Sequence, residues 1–336
     1  MSASSVRDVA LRAGVSVGTV SNVLNHPEKV SPAALERVQK AIQELGFIRN
    51  DAARQLRNGQ SKTIGMVVLD VRNPFFTDLA RGAEDEAAAS GLTVTLGNSD
   101  ENPAREANYL DLFEQQRVYG VVISAYADVS ARLLRLRQRG IPAVLVDRSS
   151  PDGAFSSVSI DDLAGGRLAV EHLISLGRTR LAFVGGPLEI RQVADRLAGA
   201  REAVAAHPGV SLEVIEIDAL SVLAGRAAGA LIVERQAQDR PDAVFAANDL
   251  VSMGLLQAFA MQGAGIVVPG QIALIGYDDI DFASAAVVPL SSIRQPSALI
   301  GRTAVELLLA EAKDPSTPPR QVVFQPELVV RASTQP

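Results

Sequence analysis

The sequence contains no cysteine, which removes disulfides and thiolate metal sites and is compatible with a reducing compartment. Histidine is scarce as well: His26, His172 and His207 are too scattered along the chain to suggest a metal centre. No apolar run approaches the roughly 18 residues that a membrane span requires, and Met1 to Val6 lacks the basic-then-apolar pattern of an export signal. The expectation is a cytoplasmic protein without a membrane partner. Neither a Gly-x-Gly-x-x-Gly dinucleotide run nor a phosphate-binding Gly-Lys-Ser/Thr run occurs, and no cofactor is expected.

What is present is globular. A length of 336 residues, 47% hydrophobic and 21% charged, fits two or three ordered domains with a sizeable core. The overall net charge of −6 argues against nucleic acid as a partner, but the charge is divided unevenly. Residues 1–62 carry nine Lys/Arg against five acids, a net +4, and the remainder carries −10. Only the N-terminal piece is electrostatically suited to phosphate.

Within that piece Val6, Val9, Ala10 and Ala13 form one apolar stripe of a short helix that stops at Gly14. Ser16 is a good N-cap for a second helix, whose Val20, Val23 and Leu24 point back at the first across the tight turn 14–16. Ser31-Pro32 starts a third helix that buries Leu35, Val38, Ile42 and Leu45 before Gly46 ends it. Two short helices across a three-residue turn, braced by a third, predict an all-α helix-turn-helix headpiece, although small three-helix units also serve as plain structural domains. Gly14 to Gly18 also matches the Gly-x-Ser-x-Gly nucleophile pattern. That motif needs a strand before its serine and a histidine partner, and this one has neither, so no enzyme is expected.

The runs Val6-Arg7-Asp8-Val9-Ala10, Ala13-Gly14-Val15-Ser16 and Thr19-Val20-Ser21-Asn22-Val23-Leu24-Asn25 resemble the headpiece of the LacI/GalR family of repressors, and Val30-Ser31, Leu45-Gly46-Phe47 and Asn50 extend the match. The resemblance implies that DNA is read by Val17, Gly18 and Asn22. Val17 suits a thymine methyl, Gly18 permits close approach, and the Asn22 amide best matches adenine; core packing is the alternative for Val17. Ser16, Thr19, Ser21 and Asn25 suit phosphate, where small donors position the helix. Asn50-Asp51 can cap a short helix over 52–57. In the family such a hinge helix orders on the operator and wedges a leucine, here Leu56, into the minor groove. Arg54 and Arg57 favour that role over an ordinary linker helix.

From Thr63 onward, β-rich apolar runs at Ile64–Leu69, Val94–Leu96, Val121–Ile123, Ala143–Val146, Leu181–Val184, Val214–Ile217, Ala243–Ala246 and Ile272–Ile275 alternate with helical stretches. This pattern predicts an α/β domain of two doubly wound parallel-sheet lobes with a ligand in the crevice at the carboxyl ends of the strands. Candidate ligand residues lie at those ends: Asp70, Asn73, Phe75, Phe76, Asp147, Arg148, Arg196, Asn248, Asp278 and Gln295. Carboxylates, amides and guanidinium groups suit the paired hydroxyls of a sugar, and aromatic faces suit its C–H side. Asp249 and Asp279 are read instead as helix caps.

The similarity extends to the family's effector domain and to periplasmic sugar-binding proteins. It implies that Phe75 and Phe76 sandwich the ligand and that Asn73, Asp147, Arg148, Arg196, Asn248, Asp278 and Gln295 hydrogen-bond it, a set closest to ribose-binding sites. A pentose or related sugar is the first expectation. Leu220 stands where the family often has a stacking aromatic.

The expected organisation is a headpiece at 1–48, a hinge at 49–62, and an effector and dimerisation domain at 63–336. Its N-lobe takes 63–161 and 293–322, and its C-lobe takes 162–292 and 323–336. The chain would cross between lobes near Asp161, Ile293 and Val322. The tail after Arg331 is too short for leucine heptads, so a dimer on a pseudo-palindromic operator is expected. The rival readings are a secreted sugar carrier, or a regulator that answers a nucleoside, a phosphosugar or a partner protein.

Overall fold

A computed structural model describes residues 4–47, 61–150, 152–261 and 265–335 of the chain. It divides into two compact units, Met1–Gln60 and Ser61–Pro336.

The first unit holds helices α1 (Val6–Ala13), α2 (Val17–Asn25) and α3 (Pro32–Leu45). Ser5 and Asp8 close a capping box at the start of α1, and Gly14, at φ +63°, ends it in the left-handed conformation that glycine adopts without a Cβ penalty. Two residues later the Ser16 hydroxyl accepts from the Thr19 N–H, satisfying one of the free donors at the start of α2. Ser31 sits at the N-cap of α3, but its hydroxyl makes no capping bond there. The core is built from Val9, Ala10, Ala13, Val20, Val23, Val38 and Ala41. Leu24, Leu35, Ile42 and Leu45 are only half-buried and pack against its margin. The expected hinge helix, with Arg54 and Leu56, lies outside the described residues.

The second unit contains two six-stranded sheets. In the first, β1 (Thr63–Val68), β2 (Thr93–Asn98), β3 (Gly120–Ile123), β4 (Ala143–Val146), β5 (Ser156–Ile160) and β11 (Gln321–Phe324) lie in the order β11-β5-β4-β3-β1-β2, all parallel. The second contains β6 (Arg180–Gly185), β7 (Ser211–Glu216), β8 (Ala243–Ala246), β9 (Ala273–Asp278), β10 (Ser291–Arg294) and β12 (Glu327–Val329). Its order is β12-β10-β9-β8-β6-β7, and only β12 is antiparallel. The helices that cover the sheets are α4 (Pro74–Ala89), α5 (Pro103–Gln115), α6 (Ser130–Gln138), α7 (Asp162–Ser175), α8 (Arg191–Ala205), α9 (Val222–Glu234), α10 (Asp249–Ala260), α11 (Asp281–Ala285) and α12 (Ser297–Lys313). Burial of the central strands on both faces explains their near-continuous apolar runs.

The alternation locates the eight expected strands. It passes over β5, whose sequence is Ser-Ser-Val-Ser-Ile, because serines do not look like a core strand. Ser156 and Ser157 are nevertheless buried, their hydroxyls bonded to Glu311 and Gln321. Two of the three expected crossing points, near Ile293 and near Val322, move a few residues along the chain. Ile293 pairs with Tyr277 and Leu328 inside the second sheet, and Val322 pairs with Val158 inside the first. The chain therefore passes between sheets after Asp161, at Gln295-Pro296 and at Gln325-Pro326.

Candidate functional site

On α2, Val17, Gly18 and Asn22 all face outward, with Val17 47% exposed. Core packing, the alternative for Val17, is thereby excluded; the inward positions are Val20 and Val23. Thr19 and Ser21 are half-buried beside them. Ser16 and Thr19 join their hydroxyls at 2.9 Å, and the Asn25 amide donates to the Ser21 carbonyl at 2.8 Å and to its hydroxyl at 3.3 Å. These bonds fix the rotamers of small polar groups on the rim of an exposed helix face. Arg12 of α1 pairs with Glu44 of α3, whereas Arg7, Arg37 and Lys40 are exposed. The serine of the Gly-x-Ser-x-Gly run follows a helix rather than a strand and serves as the cap of α2.

In the second unit the strand ends of both sheets enclose a cleft with about 450 Å³ of atom-free space, partly open to solvent. From the first lobe, Asn73 caps α4 by accepting from the Phe75 N–H at 3.0 Å, which leaves its side-chain amide free to reach across the cleft. It donates to Asp278 at 2.9 Å. A second bridge between lobes runs from the Gln192 amide of α8 to Asp147 at 2.7 Å, and Ser124 donates to the same Asp147 oxygen at 3.2 Å. The clamshell is shut across these two bonds.

Asp147 at φ +61° and Asp278 at φ +102° both adopt left-handed backbone, which non-glycine residues rarely take outside over-determined sites. Each ends a buried strand and turns a carboxylate toward the cleft. Arg196 is buried beneath them. It donates to Asp162 at 2.7 Å and to the Ala247 carbonyl at 2.8 Å, stacks 3.7 Å above the Tyr277 ring and lies 3.8 Å from Asp278. Its height is set by Gly166, where a Cβ would stand 2.0 Å from the Arg196 carbonyl oxygen, so α7 and α8 meet backbone to backbone. Asn248 caps α10 through the Val251 N–H and turns its amide toward the Leu220 carbonyl at 3.4 Å.

Of the ten candidate ligand residues, Asp70, Asn73, Phe75, Phe76, Asp147, Arg196, Asn248 and Asp278 line the cleft, and Arg148 and Gln295 do not. Gln295 donates to Asp278 at 2.7 Å from behind. Arg148 turns its guanidinium onto the Ala125 and Ala127 carbonyls. Phe75 and Phe76 do not form a sandwich: their centroids are 5.0 Å apart with the rings edge to face at 73°. A ligand ring between them would need about 3.5–4 Å on each side, so they build one corner of the wall.

Asp249 and Asp279 are not caps either. Asp249 accepts from the Ile280 N–H and the Ser292 hydroxyl, and Asp279 pairs with Arg294 and Arg331.

Two polar wall residues are not singled out by the sequence pattern, Gln192 and Glu101. Gln192 lies one turn before Arg196, so helical spacing alone puts it on the same face. Glu101 follows β2, where the strand-end rule also applies once the strand is extended to Asn98.

Asp70, Glu101, Asp147 and Asp278 share the wall with a single guanidinium, that of Arg196, and Asp70 is paired with Arg72 at 2.9 Å. Burial, then the charges of Asp162 and Asp278, pushes the Asp147 carboxyl up to about 7 against the pull of Arg196. Glu101 is likewise pushed up to about 7 by burial and then by Asp70. Burial raises Asp278 as well, although Arg196, Asn73 and Gln295 oppose the shift. A wall so rich in acceptors suits a neutral ligand with many donors, and a phosphate would meet repulsion.

An exposed reading helix in one unit and a ligand clamshell in the other define a ligand-responsive DNA-binding regulator. Residues 5–50 match the family of bacterial regulatory proteins, lacI family, and residues 170–334 match the periplasmic binding protein-like domain. The ribose operon repressor of Escherichia coli K12 is 34% identical over 333 residues, with 98% of this chain and 99% of that protein covered. The HTH-type transcriptional repressor PurR of Photobacterium profundum is 33% identical over 335 residues, covering 98% of each.

Among solved structures, the lac repressor dimer bound to operator and an anti-inducer aligns at a TM-score of 0.83 with 27% identity over 99% of both chains. A regulator of the same family from Enterococcus faecium with bound ribose aligns at 0.74 with 29% identity, over 82% of this chain and 99% of that one. The chain belongs to the lacI family of bacterial regulatory proteins: it is a DNA-binding transcription regulator with a periplasmic-binding-protein-like effector domain.

Proposed function

We propose that the protein is a cytoplasmic repressor that binds a pseudo-palindromic operator as a homodimer and answers a small neutral polyol, a pentose such as ribose being the first choice. Residues 1–48 form the DNA-reading piece and 49–62 the hinge. Val17, Gly18 and Asn22 read bases, Ser16, Thr19, Ser21 and Asn25 hold phosphate, and Arg54 and Leu56 enter the minor groove. The operator-bound lac repressor dimer and the exposure of the α2 face support this assignment. None of these roles is enzymatic.

The observation that carries the ligand reading is the shut cleft in which Asn73, Asp147, Arg196, Asn248 and Asp278 converge on one cavity beside Phe75 and Phe76. The ribose-bound regulator and the ribose operon repressor support the pentose. No helix among the described residues is long and apolar enough to cross a membrane. The similarity to PurR favours a second reading, a purine or nucleoside effector.

Thermal shift with a panel of pentoses, hexoses, purine bases and nucleosides separates the two, since a ligand of the folded form raises the melting point. Selection of duplexes from genomic fragments tests the DNA reading. A melting point unmoved by every compound, or no preferred duplex, overturns the corresponding half.

A further inference from the structure

Two buried polar atoms on the cleft wall have no hydrogen-bond partner: Asp147 Oδ1 and Gln192 Oε1. They belong to side chains already bonded to each other, Gln192 Nε2 donating to Asp147 Oδ2 at 2.7 Å. With Asp147 ionised, as it is above about pH 7, that bond fixes the amide orientation, because turning it over would set oxygen against the carboxylate, and both free atoms are then acceptors. Gln192 and Asp147 are 4% exposed each, so neither orphan is served by bulk water.

From this geometry we infer that Gln192 is a specificity-determining residue of the effector site: with Asp147 it forms a two-oxygen acceptor that reads hydrogen-bond donors, such as the hydroxyls of a polyol, on the bound effector. The inference rests on the ligand reading given above. It adds a mechanism for coupling, because Asp147 comes from the end of β4 in one lobe and Gln192 from α8 in the other. The paired acceptor exists only when the lobes are shut. A ligand that satisfies both oxygens gains something from the closed form that the open form cannot offer, which is the differential affinity a conformational switch requires. Leaving a buried acceptor unpaired is costly, so a site of this kind discriminates strongly against analogues that lack the donor.

The test is isothermal titration of the full chain with D-ribose, its single-deoxy analogues, hypoxanthine and adenine, using wild type and Gln192→Met, which keeps the length of the side chain and removes both polar atoms. In wild type, one deoxy analogue of the bound sugar, or one compound of the purine pair, binds at least about tenfold more weakly than its donor-bearing counterpart. In Gln192→Met that preference shrinks to within about twofold, a change that a merely structural role would not produce. Gln192→Asn, which keeps the amide but shortens it, gives the same readout should the methionine variant fail to melt cooperatively. Equal preference in wild type and a folded variant overturns the inference while the ligand reading stands. If wild type binds none of the four classes, the ligand reading fails and takes this inference with it.

Discussion

Asn73 and Asp278 stand 205 positions apart in the chain and meet across the cleft at 2.9 Å, the one at the start of α4 in the first lobe and the other at the end of β9 in the second. Asp278 accepts from Gln295 at its other oxygen, 2.7 Å away, so both oxygens are occupied by amide donors. An asparagine at this position offers one acceptor and turns a donor toward one of the two amides. Asp278→Asn is therefore expected to lose a charge-assisted bond and to weaken effector binding by about 10- to 100-fold. Operator binding without effector should persist. Anisotropy with labelled operator, with and without effector, checks both; loss of effector-free DNA binding would assign Asp278 a folding role instead.

Arg196→Ala is a harsher change, because it leaves Asp162 buried without its cation and removes the guanidinium from the Tyr277 face. Breaking a buried pair from one side costs about 3–5 kcal/mol. In a unit of this size that lowers the melting point by roughly 6–20 °C. A calorimetric scan that showed no change would mean that the surrounding acids are neutral in the folded protein.

Much of this site was legible in the sequence, and the parts that were not have physical reasons. Strand ends in doubly wound sheets are where ligands sit, so Asn73, Asp147, Asn248 and Asp278 could be named from β-rich runs alone, and Arg196 from the helix after the next run. Gln295 and Arg148 lie at similar positions in sequence but do not reach the cleft, since which way a side chain turns at a strand end depends on backbone dihedrals that no residue pattern reports. Asp147 shows the same limit from the other side, reaching the cleft through a positive φ unusual for aspartate. Strand β5 was hidden because its serines find partners far away in the chain, at Glu311 and Gln321.

The Gly166 contact makes a prediction of its own. A methyl group there would stand 2.0 Å from the Arg196 carbonyl oxygen, and main chain cannot give way as a flexible side chain does. Gly166→Ala should push α8 outward, moving Arg196 and Gln192 together, at a cost of about 1–3 kcal/mol. Effector affinity should fall although no ligand-facing atom is replaced. Titration of the folded variant with unchanged affinity would show that α7 and α8 repack without displacing the wall.

On α2, two neighbouring roles can be separated. Ser16→Ala removes the cap on Thr19 and should cost the headpiece about 1 kcal/mol. Asn22 is exposed, so Asn22→Ala should leave thermal stability unchanged while lowering discrimination between operator and altered duplexes by about 1–3 kcal/mol. A loss of melting point in Asn22→Ala would place that residue in the fold rather than at the DNA.

Leu56→Ala, in the segment that resembles the family's hinge helix, is expected to reduce operator bending and specific affinity and to spare headpiece folding. Removing an apolar wedge removes the means of holding a base step open. FRET between the ends of a labelled operator gives the bend angle, and an unchanged angle would assign Leu56 to an ordinary linker.

The acids of the cleft predict a pH dependence whose sign follows from their surroundings. Burial holds Asp147 near 7, whereas an unfolded chain titrates its aspartates near 4. The folded protein therefore keeps the Asp147 proton in a range where the unfolded chain has lost it. The stability this supplies is full below about pH 4, is lost as pH rises through about 7, and falls by up to about 1.4 kcal/mol per pH unit between. Asp147→Asn copies the protonated carboxyl and does not titrate. The variant should melt close to wild type at pH 4 and progressively above it as pH rises to about 7, where the gap levels off. His172, held below its ordinary value by burial, acts in the opposite direction at low pH, but it is common to both proteins and cancels in the difference. A difference in melting point that stays constant from pH 4 to 7 would mean that Asp147 is already ionised in the shut cleft, its charge met by Arg196.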